Sequence, residues 1–191
     1  MNELYIGILW MLYFGLHGFM GAEKTKVFLR KNLGPMFLYY RSAYTVFACF
    51  NFLLLFYLHS FVPSKTVFEP TLWTMSLSLI LAIAGAVAAI GSLRHFPLRY
   101  WVVESHLGRL LTTGWYGVVR HPMYLGVFCI LAAFVLWAPA GKNIVFVLVT
   151  AFAILRAAIA EEVRLAERFG EEYRDYRRSV PMFIPGLKRG V

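Results

Sequence analysis

The chain reads as an all-α polytopic membrane protein, and three observations lead there. Its composition is 60% hydrophobic and only 15% charged, whereas a soluble domain carries roughly 25% charged residues. The apolar residues gather in long blocks close to the length of a bilayer-spanning helix. Lysine and arginine then collect in alternate segments between those blocks, as the positive-inside rule requires. Five spans, ending in a helical hairpin and an amphipathic tail helix, satisfy all three.

The first span covers about Leu4–Met20. Glu3, and no Lys or Arg, precedes it, and no clear small-residue cleavage site is present, so it reads as a retained helix and not a secretory signal. Lys24, Lys26, Arg30, Lys31 and Arg41 follow. The second span covers about Ala43–Val62 and is followed by Lys65 alone. The third, about Leu72–Leu93, carries Gly85 and Ala89 at a spacing that lets helices pack closely. Arg94, Arg99, Arg109 and Arg120 come next. The fourth and fifth spans, about Tyr124–Ala138 and Ile144–Ala160, are at the short edge for a spanning helix. Only Pro139-Ala140-Gly141-Lys142-Asn143 separates them, a tight hairpin with Pro and Gly as breakers.

The strict alternation of basic segments places the N-terminus outside and the C-terminus in the cytosol, in an inner, plasma or endoplasmic reticulum membrane. It also brings two remote segments to one face. The stretch Val119-Arg120-His121-Pro122-Met123-Tyr124-Leu125-Gly126 opens the fourth span, and Glu161-Glu162 closes the fifth. The hairpin returns both to the cytosolic side, so residues forty apart can share a pocket.

A net charge of +9, distributed between apolar blocks, points to the membrane surface and to topology, with no nucleic acid as partner. Cys49 and Cys129 sit inside apolar blocks and read as small buried hydrophobes. His17, His59, His95 and His106 show no metal-ligand spacing, so no metal is assigned.

Arg156 lies within an apolar run, where a charge costs roughly 2.5–3.5 kcal/mol on insertion scales. Either it snorkels to the nearby interface, or its guanidinium holds an anion: Glu161, Glu162 or a substrate carboxylate. The two acids point about 100° apart on a helix, so only one can face inward. Pro122 biases His121 out of the helix and suits the first turn, so the first backbone amides of the fourth span are free and, with Arg120, form an anion-friendly corner. His121 and Tyr124 could equally be interfacial anchors. In the tail, Leu165, Phe169, Tyr173, Tyr176 and Val180 recur on one helical face up to Pro181. This is either a helix resting on the bilayer or a lid over a cytosolic pocket.

The residues LLTTGWYGVVRHPMYLG and, after the hairpin, RAAIAEEVRLAERFGEEYRDYRRSVPMFIP resemble the C-terminal signature of the isoprenylcysteine carboxyl methyltransferases, whose relatives methylate phospholipid amines and small thiols. The pattern T-x-G-x-Y-x-x-x-R-H-P-x-Y-x-G, then R-x4-E-E-x-x-L-x-x-x-F-G-x-x-Y-x-x-Y and V-P, is met at every position between about Leu110 and Pro185. The start of the chain is similar to bacterial membrane proteins grouped with nitrite-reduction accessory proteins and thiol methyltransferases.

The resemblance implies S-adenosyl-L-methionine as cofactor and a lipophilic small molecule or lipidated substrate drawn from the membrane, with lipid as surroundings. Carried over, Leu111, Thr112, Gly114, Tyr116, Arg120, His121, Tyr124, Glu161 and Leu165 shape the cofactor site, Tyr173 and Tyr176 close the lid, and Arg156 holds the acceptor. Arg156, Glu161 and His121 are then the catalytic set. One domain, 1–191, is expected, with spans one to three on the substrate side and 101–191 supplying cofactor loop, hairpin and tail. Two other readings compete. Gly114-Trp115-Tyr116-Gly117 is similar to the G-W-W-G of NADPH-dependent sterol reductases, and a non-catalytic membrane accessory protein would carry the same spans.

Overall fold

The structure, a computed structural model, describes residues 2–94 and 109–186. His95, Arg99, His106, Lys188 and Arg189 lie outside the described residues. The helices are α1 (Asn2–Gly21), α2 (Glu23–Leu33), α3 (Tyr40–Ser60), α4 (Leu72–Leu93), α5 (Trp115–Val118), α6 (Pro122–Trp137), α7 (Gly141–Phe169) and α8 (Glu171–Ser179), with a 3₁₀ segment at Gly34–Tyr39 between α2 and α3. The protein is an all-α polytopic membrane protein. Among the described residues α1, the continuous α2–α3 stretch, α4 and α7 are long and apolar enough to cross a bilayer. The expected fourth span is the exception. It begins at Pro122, and its 16 residues cover only about 24 Å at 1.5 Å per residue. The fifth span is longer than expected: α7 runs nine residues past Ala160 without a break.

One end of the bundle is closed by hydrogen bonds between the hairpin tip and the chain after α3. Val67 N–H donates to the Pro139 carbonyl (2.7 Å) and Gly141 N–H to that of Lys65 (3.0 Å). Lys142 Nζ donates to the carbonyls of His59, Ser60 and Val62 at 2.8–3.0 Å, which satisfies the C-terminus of α3 and places a cation where the helix dipole is negative. Just inside, Trp10 Nε1 donates to His59 Nδ1 (3.2 Å), so His59 Nε2 carries the ring proton and donates to Asn143 Oδ1 (2.8 Å). Asn143 Nδ2 in turn donates to the Ala138 carbonyl (2.8 Å). A polar group left unsatisfied in hydrocarbon costs several kcal/mol, and here each is partnered. The same three helices bury Ile6, Trp10 and Phe146 with Leu131 of α6.

Close packing sets the remaining geometry. A Cβ on Gly85 of α4 would lie 2.5 Å from the Gly126 carbonyl of α6, and one on Gly126 would lie 2.7 Å from the Ala89 amide. The small residues noted in the sequence are thus where α4 and α6 touch. Gly91, near the end of α4, receives the indole of Trp115. That contact draws α5, and with it Arg120, onto the end of the bundle away from the hairpin tip. This second end also carries α2 with its Lys24, Lys26, Arg30 and Lys31, whereas Lys65 and Lys142 lie at the first.

Candidate functional site

The site forms where the entrance to α6 meets the exit of α7. Gly114, with φ +62 in the left-handed region, starts the short α5. The chain then extends through Val119 and His121 before Pro122, which has no amide hydrogen to lose, opens α6. The extended pair does not stay open. Arg120 N–H donates to the Pro181 carbonyl (2.9 Å) and His121 N–H to that of Met182 (3.2 Å). The tail thus takes the two amides that precede α6, not the first amides of the helix that were read from sequence as an anion corner.

The tail arrives by a turn the periodicity does not reveal. Gly170, at φ +56, ends α7 and redirects the chain into α8, so the expected single amphipathic helix is two. The turn folds Tyr173, Tyr176 and Val180 back onto Leu110, Leu165, Ala166 and Phe169. Tyr176 Oη donates to the Tyr116 carbonyl (2.6 Å). Tyr173 Oη is buried with no hydrogen-bond partner among the described residues. Burial pushes both phenols well above the usual tyrosine range, and at Tyr173 the neighbouring Glu162 charge adds to it.

Arg120 joins these pieces. Its Nε donates to Glu162 Oε1 (2.7 Å) and its Nη2 to Oε2 (3.1 Å), a two-pronged grip on α7. Its Nη1 donates to the carbonyls of Val180 (2.5 Å) and Arg177 (3.1 Å) at the end of α8. His121 Nε2 lies 3.1 Å from Glu162 Oε1. The imidazole is stacked on Tyr124, with centroids 5.6 Å apart at 20°, and Phe183 lies tilted against it, 5.6 Å at 39°. Arg177 Nε stands 3.7 Å from Glu162 Oε2.

Two choices left open by the sequence are decided by the geometry. The inward acid is Glu162, 8% exposed. Glu161 sits at the periphery with its side chain 41% exposed, Oε2 3.7 Å from His121 Nδ1. The 100° step between neighbours on a helix leaves room for one buried carboxylate, and Arg120 selects Glu162. Arg156 is exposed on α7 and pairs with neither acid, because the internal partner it was offered is held from α6's entrance instead. Leu111 is half-buried, while Thr112 and Gly114 are exposed in the entry loop. Tyr116 and Leu165 belong to the tail seam.

On the far side of Glu162 a cleft of about 870 Å³ runs between α7 and the tail, bordered by Leu155, Ile159, Val163, Glu167, Arg177 and Phe183 among others. Of the residues expected around the cofactor, it includes Arg120 alone. Arg177, Phe183 and the carbonyls of Val180, Pro181 and Met182 were missed. The Val180-Pro181 pair was the one available signal, since an X-Pro step favours the extended backbone that pairs with Arg120.

These features define a class: helical membrane proteins in which a C-terminal segment is clasped over the mouth of a hairpin by buried Arg, His and Glu. A family model described as phospholipid methyltransferase matches residues 73–172, over half the chain and including Arg120, His121 and Glu162 but not the tail beyond residue 172, and the chain belongs to that family. Methanethiol S-methyltransferase 1 of Bradyrhizobium diazoefficiens is 31% identical over 94% of this chain and 66% of its own length. The methanethiol S-methyltransferase of Pseudomonas deceptionensis is 43% identical over 39% of this chain and 28% of its own. The protein-S-isoprenylcysteine O-methyltransferase of Rattus norvegicus is 29% identical over 66% of this chain and 49% of its own. The chain thus spans between about a quarter and two thirds of the curated relatives it matches. No solved structure matches it.

Proposed function

We propose that this chain is a membrane methyltransferase that moves a methyl group from S-adenosyl-L-methionine to a thiol, small or lipid-borne. The observation that carries the reading is the convergence of Arg120, His121 and Glu162 beneath the tail, in a segment shared with enzymes named for thiol methylation. The donor, when bound, supplies an electrophilic methyl on a cationic sulfur. The residues around the second nitrogen of His121 fit such a group: Glu161 offers a carboxylate free to meet solvent and Tyr124 an aromatic face, both favourable to a sulfonium. Leu111, Thr112, Gly114, Tyr116 and Leu165 would shape that side, and Tyr173 and Tyr176 would keep the tail down and water out. Arg120 holds the tail and Glu162 together. Arg156, exposed on α7, would meet an anionic group of an acceptor where there is one. With the basic end of the bundle in the cytosol, donor and site would lie in one compartment.

Methyl transfer from a sulfonium is an in-line displacement, so fixed approach geometry contributes most, roughly 7–11 kcal/mol at best. The decisive experiment supplies purified protein in nanodiscs with isotope-labelled methyl donor and three acceptors: an alkanethiol, a prenylcysteine analogue and phosphatidylethanolamine. Label is expected in the thiol. No label in any acceptor, from a folded sample that also fails to bind S-adenosylhomocysteine by calorimetry, would overturn the reading.

A further inference from the structure

The two ring nitrogens of His121 are in different situations. Nε2 is 3.1 Å from Glu162 Oε1. That carboxylate also accepts the Arg120 fork at 2.7 and 3.1 Å, and an ionised carboxylate can only accept. Nε2 therefore carries the hydrogen. In the neutral ring, which has one N–H, Nδ1 then presents a bare lone pair. Nδ1 makes no hydrogen bond among the described residues, and Glu161 Oε2 stands 3.7 Å away. The ring is held against turning over: it is buried, stacked on Tyr124 and flanked by the tilted ring of Phe183.

We infer that His121 removes the proton of the methyl acceptor through Nδ1, and that Glu162 is the positioning residue that holds the ring hydrogen on Nε2 and leaves the lone pair at Nδ1. This rests on the methyl-transfer reading above and deepens it, because a base has a task only if the acceptor arrives with a proton. A carboxylate acceptor is already ionised at neutral pH, whereas an ordinary thiol, with a pKa of about 8.5, is mostly S–H, and the thiolate is the nucleophile. In the step, the acceptor's S–H proton passes to Nδ1. The freed sulfur pair forms the new S–CH₃ bond. The methyl's old bond to the donor sulfur breaks, and its electron pair stays on the departing thioether. Positive charge moves from the sulfonium to the imidazolium, which then faces Glu162 and Glu161 of α7. The other groups around the ring are Arg120 and Tyr124 of its own segment, Tyr173 of α8 beside Glu162, and Arg177 across that acid. The proton leaves to solvent through the half-exposed Glu161 edge.

Two readouts test this. The first needs no activity. In ¹⁵N-histidine spectra of the detergent-solubilised protein, the signal lost in His121→Asn should show the Nε2–H tautomer. A protonated Nδ1 in the wild type would overturn the inference. The second compares acceptors of different acidity within one preparation, so the folded fraction cancels. His121→Asn should slow transfer to an alkanethiol by about 10²-fold, the usual scale of general-base help. Transfer to an acidic aromatic thiol, already ionised at the assay pH, should slow less than about tenfold. Glu162→Gln should show the same pattern, more weakly. Equal losses on both thiols, or acidity dependence in Glu161→Gln in place of His121→Asn, would overturn the base role while leaving methyl transfer standing. Absence of transfer by the wild type would instead remove the reading beneath it.

Discussion

Replacing Arg120 by alanine tests the clasp directly. The substitution removes the two-pronged grip on Glu162 and the bonds to the Val180 and Arg177 carbonyls. Both side chains of the ion pair are under 10% exposed, so Glu162 would be left charged and unpartnered apart from His121 and the more distant Arg177. Breaking a buried pair costs about 3–5 kcal/mol. The neighbouring cleft admits water to relieve part of that, so about 3 kcal/mol is the working figure, and at about 1.4 kcal/mol per tenfold it raises the open fraction of the tail about 10²-fold. Hydrogen exchange of the segment 171–182 reads this opening. Protection should fall about 10²-fold in Arg120→Ala and about tenfold in Arg120→Lys, which keeps the charge but not the planar fork. The α4 amides should be unchanged. The double variant R120A/E162A should exchange more slowly than R120A, since the orphaned charge is gone. Protection within about twofold of wild type in R120A would refute the clasp.

Two further predictions follow from the fold. Gly126→Ala should lower the thermal midpoint in detergent by several degrees, because its Cβ would meet the backbone of Gly85 and Ala89 at 2.5–2.7 Å and overpacking costs about 1–3 kcal/mol. Gly18→Ala, whose Cβ would meet nothing within 4 Å, should be neutral, and equal effects would refute the packing argument. The tail should also loosen in alkali. The phenols of Tyr173 and Tyr176 are raised in the folded state, so above the ordinary value of about 10 the unfolded tail releases protons more readily and closure weakens with rising pH. Protection of α8, taken relative to the base-catalysed intrinsic exchange rate, should therefore fall as pH climbs past about 10, and Y173F/Y176F should flatten that fall. A flat wild-type profile would contradict the burial of both hydroxyls.

Much of this molecule is legible in one dimension because hydrocarbon is a demanding solvent. A span must be apolar for about twenty residues and must satisfy its own backbone, so α1, α3, α4 and the hairpin announce themselves. Gly85 and Ala89 announce a contact because only small residues let helices approach. The segments Arg120-His121 and Glu161-Glu162 announce a shared end because topology alternates. The local signals were weakest where two fates cost nearly the same on paper. Arg156 could pair or snorkel, either acid could turn inward, and a regular Leu-Phe-Tyr-Tyr-Val spacing ran straight across Gly170.

The sequence by itself therefore determined the class, the approximate placing of the spans and the end of the bundle at which the ionisable residues gather, since these follow from transfer energies that each segment feels alone. Only the tertiary structure decided that Glu162 and not Glu161 is buried, that Arg120 and not Arg156 is its partner, and that the backbone of Val180-Pro181-Met182 completes the site. Those choices depend on which groups come within 3.1 Å across forty to sixty residues of chain, and a buried charge is held by its spatial neighbours, whatever their distance in sequence.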